Sequence, residues 1–233
     1  MKVTFKIQRF NPENDTKPYF KEYTVETHSN AAVLDCLNDI RWHQDESLSF
    51  RRSCGHAICG SCAMNMNGKN GLACQTLIKD LKPGTVTVKP LPSFPIIKDL
   101  VVNLEKFYEK FNKITPYLIN DGPVPQKERF QSPEQQKIIE ESTTCILCAS
   151  CTSSCPSFWA DDDYLGPAAL VKAFRYVFDT RDTAAEERLK VVNDKNGVFR
   201  CHTIFNCNEA CPKDINITGH IAELKLALVT TKL

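Results

Sequence analysis

Between Cys145 and Pro156 the chain reads CILCASCTSSCP, three cysteines at two-residue gaps and a fourth three residues later, directly before proline. Cysteines so spaced wrap a short loop around an iron–sulfide core. The run C-x2-C-x2-C-x3-C-P serves two clusters, its fourth cysteine ligating the second. Such a run is incomplete alone: one cluster lacks a ligand and the other lacks most of its set.

A partial echo lies downstream in CHTIFNCNEACP, with Cys201, Cys207 and Cys211 before Pro212. Laid over the first run, these match its first, third and fourth positions, and Ile204 falls on the second. By the reciprocal rule Cys145, Cys148, Cys151 and Cys211 hold a 4Fe–4S cluster, while Cys155 joins Cys201 and Cys207. Ile204 offers no donor, so this second set has three thiolates and reads as 3Fe–4S. The alternative is a 4Fe–4S cluster with water or a nearby side chain at the open corner.

Cys54, Cys59 and Cys62 form a third set spaced C-x4-C-x2-C, with Cys74 beyond. That is the plant-type 2Fe–2S spacing, with a shorter last gap. A four-cysteine zinc site usually pairs its ligands as two C-x2-4-C units, which the distant Cys74 and the glycine-rich loop fit poorly. The three sets use every cysteine of the twelve except Cys36, which reads as a small buried apolar side chain. His56 adjoins a filled ligand set and reads as a loop residue. His202 reads either as a loop residue or as a hydrogen-bond donor beside the terminal cluster. No nucleophile elbow or phosphate loop is present. No residue is assigned a catalytic role, and the chain reads as an electron wire.

The elements that must position these cysteines follow from periodicity. Val3, Phe5 and Ile7 alternate with Lys2, Thr4 and Lys6, and Tyr23 and Val25 repeat the pattern, which predicts two half-buried strands. Ser29 or Asn30 is expected to cap a helix with Val33, Leu34, Leu37 and Ile40 on one stripe. Asn67-Gly68 and Asn70-Gly71 predict a hairpin turn returning the chain to Cys74, and Val86 and Val88 mark another strand. Leu100, Leu104, Phe107, Tyr108 and Phe111 form a helical stripe. Residues 115 to 133 read as an irregular connector. Beyond it the pattern is helical, with Pro167 in a first turn and Leu170, Val171, Phe174, Val177 and Phe178 on an apolar face. A last helix carries Ile221, Leu224 and Leu228. The expectation is an α+β chain with two domains. Residues 1–102 form a β-grasp, plant-type ferredoxin-like 2Fe–2S domain, and residues 103–233 an all-α helical ferredoxin domain carrying two clusters.

With 233 residues the chain can bury two modest cores. Its net charge of +1 comes from 29 basic and 28 acidic residues without a long run of either sign, so nothing points to nucleic acid or an electrostatic membrane patch. No secretory signal is expected in MKVTFKIQRF, and no apolar run reaches the roughly 18 to 20 residues that cross a bilayer. Membrane work would fall to another chain. Without a signal the cysteines read as metal ligands rather than disulfides.

The segments SFRRSCGHAICGSCAMNMNGKNGLACQT, PLPSFPIIKDLVV, CILCASCTSSCPSFW, YLGPAALVKAFRYVFDTRD and RCHTIFNCNEACPKDIN follow one another in that order. Together they resemble the iron–sulfur subunits of succinate dehydrogenase, respiratory complex II, and of the related fumarate reductases. The resemblance implies a 2Fe–2S domain against a flavoprotein subunit that holds FAD and the dicarboxylate site. It also implies a helical domain seated on one or two transmembrane anchor subunits, in which haem is left open. Electrons would pass from flavin through 2Fe–2S, 4Fe–4S and 3Fe–4S to quinone. The chain would lie peripherally on the cytoplasmic face of a bacterial inner membrane or the matrix face of a mitochondrial one.

Carried over by position, Pro156, Ser157, Trp159, His202 and Ile204 would lie near quinone. Many ubiquinone-linked members have two consecutive tryptophans after the fourth cysteine; here the pair is Trp159-Ala160. The resemblance therefore leaves ubiquinone and menaquinone both open, and Trp159 also reads as a buried aromatic beneath the anchors. CPSFW and NGKNGLAC favour the dehydrogenase, with a quinol:fumarate reductase as the alternative and a soluble ferredoxin-like carrier as the further one.

Overall fold

The computed structural model describes residues 1–81 and 84–230. Its strands are β1 (Lys2–Arg9), β2 (Tyr19–Glu26), β3 (Ala63–Met66), β4 (Lys69–Leu72), β5 (Thr85–Lys89), β6 (Ile96–Lys98) and β7 (Val101–Val102). Its α-helices are α1 (Val33–His43), α2 (Glu105–Lys113), α3 (Pro133–Thr143), α4 (Ser150–Ser153), α5 (Pro156–Ala160), α6 (Pro167–Val177), α7 (Ala185–Val192), α8 (Asn206–Glu209) and α9 (Ile217–Thr230). The result is a mixed α+β chain with its sheet towards the N-terminus and its helices towards the C-terminus. Two compact units divide it: Met1–Leu104 with Ile146–Ser154, and Glu105–Cys145 with Cys155–Leu233.

In the first unit the strands form a mixed sheet in the order β2-β1-β5-β3-β4. β1 runs antiparallel to β2 and parallel to β5, and β3 is antiparallel to both β5 and β4. The alternation in β1 buries Val3, Phe5 and Ile7, and α1 lays Val33, Leu34, Leu37 and Ile40 into the same core as Met64, Met66, Val86 and Val88. Each such aliphatic side chain contributes about 1.5–3 kcal/mol on burial. Cys36 sits inside this core, where burial raises its thiol pKa.

The cap of α1 differs from expectation. Ser29 and Ala31 accept amides from Lys79 and Ile78, so residues 29–32 are drawn out against 77–79 and the helix begins only at Val33. The Asp35 carboxylate accepts the Ala32 N–H at 3.0 Å instead. The second Asn-Gly pair also differs. Asn67-Gly68 makes the turn, both residues having positive φ (49° and 87°) as a type I′ hairpin requires, whereas Asn70-Gly71 lies inside β4.

A third difference lies at residues 100–104, which precede the helix rather than opening it. Asp99 is buried at φ 48°, Leu100 donates its amide to Ser49, and Val101–Val102 pairs with β6. The helix therefore starts at Glu105, once these ties end. Asp99 is held by Arg9, whose guanidinium donates Nε to Asp99 at 2.9 Å, Nη1 to Asp45 at 2.7 Å and Nη2 to Ser47 at 2.9 Å. This buried cation fixes residues 45–49, the lead-in to the first cysteine loop.

In the second unit α6 is the central helix, packed by α2, α3, α7 and α9. Pro167 occupies its first turn, and Leu170, Val171 and Phe174 are buried as expected. Asp179, buried just past its end, takes Arg181 at 2.8 Å and also Arg175. Ser132 caps α3 by accepting the Gln135 amide, a capping box. The segment between α2 and α3 has no regular structure.

Candidate metal centres

The first cysteine loop lies between α1 and β3, and the β3–β4 hairpin brings Cys74 back to it, with the Ala73 amide bonded to the Cys62 carbonyl at 3.1 Å. Left-handed residues at Gly55, Ala57 and Gly60 turn backbone amides inward, the arrangement of an anion-binding nest. Cys54 Sγ accepts the amides of Cys59 at 3.3 Å, Ile58 at 3.4 Å and His56 at 3.5 Å, while Ala57 donates to Cys74 Sγ at 3.3 Å. These amides bring the Cys54 thiol down to about 6. The Ser61 hydroxyl, 3.1 Å from Cys59 Sγ, and the Cys54 amide lower Cys59 as well.

Cys62 is the buried member. Burial pushes it up to about 12, and Cys74 and Cys59 facing it add to the rise. A site that lowers Cys54 and Cys59 with aimed N–H and O–H groups while crowding sulfurs around a buried one is suited to thiolates neutralised by iron. The His56 ring does not join them, since Nδ1 donates to the Cys54 carbonyl at 2.6 Å.

The second and third runs share one backbone. In the first of them Leu147 and Ala149 have φ of 54° and 65°, followed by the single turn of α4. In the other Thr203 and Phe205 have φ of 55° and 70°, followed by the single turn of α8. Each left-handed non-glycine residue costs about 1–3 kcal/mol, a strain kept at functional sites. Position by position Cys145, Cys148, Cys151 and Cys155 correspond to Cys201, Ile204, Cys207 and Cys211.

Cys155, Cys201 and Cys207 line one hollow together with Ile204, Pro156, Ser157 and His202. Burial drives Cys207 up to about 12, and the neighbouring Cys155 and Cys201 add to it. Burial also raises Cys155, against the Phe158 and Ser157 amides at its sulfur. Cys211 is raised by burial too, and it faces Cys145 within the second unit. Cys148 packs with Ile146 against the core of the first unit. Among the described residues no group of three or more His, Cys, Asp or Glu converges tightly enough for a single metal ion.

Trp159 lies outside the hollow's lining and is 53% exposed; Ile204 is 49% exposed. Other contacts had no sequence signal because they depend on distant parts of the chain. Lys172 donates to the Ser142 carbonyl at 3.5 Å and lies near Cys145. Lys225 donates to the Cys201 carbonyl at 2.9 Å. Ser61 has a signal in the sequence itself, standing between Cys59 and Cys62.

The chain is similar to known proteins along its length. Residues 4–109 match the family model "2Fe-2S iron-sulfur cluster binding domain" and residues 137–212 the model "4Fe-4S dicluster domain". The succinate dehydrogenase iron–sulfur subunit of Coxiella burnetii is 45% identical over 230 residues, 97% of each chain. The mitochondrial succinate dehydrogenase [ubiquinone] iron–sulfur subunit of Candida glabrata is 45% identical over 97% of this chain and 90% of its own. A chain of the Mycobacterium smegmatis Sdh1 complex superposes with a TM-score of 0.91 at 26% identity, over 99% of this chain and 97% of that one. No helix among the described residues is long and apolar enough to cross a membrane. Eleven cysteines in three loops, two matching family models and relatives similar end to end lead to one assignment: the chain belongs to the iron–sulfur subunits of succinate dehydrogenase.

Proposed function

We propose that this chain is the electron wire of a succinate:quinone oxidoreductase, with a 2Fe–2S cluster on Cys54, Cys59, Cys62 and Cys74. On the same reading Cys145, Cys148, Cys151 and Cys211 hold a 4Fe–4S cluster, and Cys155, Cys201 and Cys207 a 3Fe–4S cluster. The observation that carries it is the shared backbone of the two later runs, in which Ile204 stands where Cys148 stands. Bound there, each cluster supplies a one-electron site that is filled and emptied without bond-making at the protein.

What the residues contribute is electrostatic. Amides aimed at Cys54 and Cys74 favour added negative charge at the first loop. Burial of Cys62, Cys151 and Cys207 keeps water from the sulfurs. The short nests hold the ligands in place, so little rearrangement accompanies a change of charge. Residues 1–102 are read as the β-grasp domain and 103–233 as the helical ferredoxin domain. The partners are a flavoprotein subunit, which holds FAD and oxidises succinate, and membrane anchor subunits, where quinone takes up two electrons and two protons. Pro156, Ser157, His202 and Ile204, with Trp159 beside them, form the face offered to quinone. The complex lies on the cytoplasmic face of a bacterial inner membrane or the matrix face of a mitochondrial one.

Purification of the native complex tests the reading. A flavoprotein is expected to co-purify, and succinate oxidation is expected to reduce a quinone analogue. Paramagnetic resonance should give 2Fe–2S and 4Fe–4S signals on reduction and a 3Fe signal on oxidation. A stable single chain without flavoprotein, or an oxidised sample without the 3Fe signal, would count against it.

A further inference from the structure

Gly60 stands between two ligands of the first loop, Cys59 and Cys62, at φ +73°. A Cβ built on it would lie 2.9 Å from Cys148 Cβ, 3.0 Å from Cys148 Cα and 3.1 Å from the Ile146 carbonyl oxygen. Two of these are fixed backbone atoms, so no side chain can bend away to make room. Gly55 in the same loop has φ +72° and nothing within 4 Å of the corresponding position. Its glycine answers to conformation alone; at Gly60 conformation and close approach are separate demands.

Three further bonds seat the segment of Cys148 on the sheet unit. Asn70 Nδ2 donates to Ser154 Oγ at 2.8 Å and to the Ser150 carbonyl at 3.4 Å, and Ser153 Oγ donates to the Pro92 carbonyl at 2.6 Å. Cys148 itself packs against the core. The backbone beside one set of ligands is therefore held directly on a ligand of the next.

We propose that Gly60 is a positioning residue for electron transfer, its bare backbone giving the van der Waals bridge by which one electron leaves the Cys54–Cys74 centre for the centre that Cys148 helps to hold. The inference rests on the ligand assignment above. The donor centre is oxidised by one electron and the acceptor centre reduced by one; no bond or proton moves. Tunnelling falls off exponentially with the gap. A methyl group here widens the gap between the two loops, because neither Cys148 Cα nor the Ile146 carbonyl can yield.

The test compares Gly60→Ala with Gly68→Ala in the whole complex. Two quantities are read: the magnetic coupling between the two centres when both are reduced, by power saturation of their resonance signals, and the rate of electron arrival at the second centre after flash photoreduction. Gly60→Ala is expected to weaken the coupling and slow arrival several-fold at wild-type iron and sulfide content. Gly68→Ala, in the β3–β4 turn at φ +87° with nothing within 4 Å of an added Cβ, carries a φ penalty of the same kind and is expected to leave both near wild type. Unchanged coupling and rate in Gly60→Ala, or equal loss in Gly68→Ala, would overturn the proposal. If Gly60→Ala fails to assemble, Asn70→Ala removes two of the seating bonds and should weaken the coupling; unchanged coupling there is equally decisive against it. Loss of either signal already in the wild-type complex would instead overturn the ligand assignment.

Discussion

Ile204 stands in one cysteine run where Cys148 stands in the other. The flanking residues repeat their left-handed turns within a few degrees, 54° and 65° against 55° and 70°. A difference of one side chain on a shared backbone is directly testable. Ile204→Cys is expected to raise iron content by one per chain and to replace the 3Fe signal of the oxidised enzyme with a 4Fe signal on reduction. Iron analysis with resonance spectroscopy reads this, and unchanged iron with an intact 3Fe signal would rule it out.

Ser61 should tune the first centre. Its hydroxyl lies 3.1 Å from Cys59 Sγ, and a hydrogen bond to a ligand sulfur stabilises the more negative, reduced state. Ser61→Ala is expected to lower that reduction potential. A difference of about 1 kcal/mol between redox states, modest for a bond to a charged group, is about 40 mV for one electron. A redox titration followed by resonance spectroscopy measures the shift; a rise would contradict the assigned role.

Lys172 should act on the next centre through its charge. Burial lowers the pKa of its ammonium, while nearby Cys145 acts in the opposite direction. A cation beside a ligand favours the reduced state, so Lys172→Met is expected to lower the potential by tens of mV. Lys172→Arg should restore most of it. Equal shifts in both variants would point to packing in place of charge.

Arg9 should make the first unit acid-sensitive. Burial opposes the Asp45 carboxylate, but Lys21, Ser47, Tyr23 and Arg9 outweigh it and hold its pKa well below the usual carboxylate range. A depressed folded pKa gives stability that is present above the unfolded value, near 3.8, and is lost as pH falls towards the folded one. Arg9→Met leaves Asp99 and Asp45 without their shared cation, a loss of about 3–5 kcal/mol at neutral pH. Thermal unfolding of wild type and variant at pH 7 and at a pH below 3.8 checks this: the gap should narrow at the lower pH.

Much of the centre was legible before any folding. Ligand spacing is a property of the covalent chain, and Ile204 could be read as a missing thiolate because its neighbours repeat. The strands and the α6 face were legible because burial imposes a period on the sequence. The start of α1 was not, because Ser29 and Ala31 are drawn out by Lys79 and Ile78. Residues 100–104 misled for a similar reason. Their apolar spacing is helical, but Asp99, bonded to Arg9 across ninety positions, holds the chain extended before the helix can begin.

Sequence alone supplied the thiolate count proposed for each centre and the reading that one corner goes without. Only the tertiary structure decided which amides point at the sulfurs, that Arg9 sets the lead-in to the first loop, and that Gly60 lies against Cys148. The physical reason is range. Ligand count follows from neighbours along the chain, whereas hydrogen bonds and close contacts depend on atoms that meet only after folding.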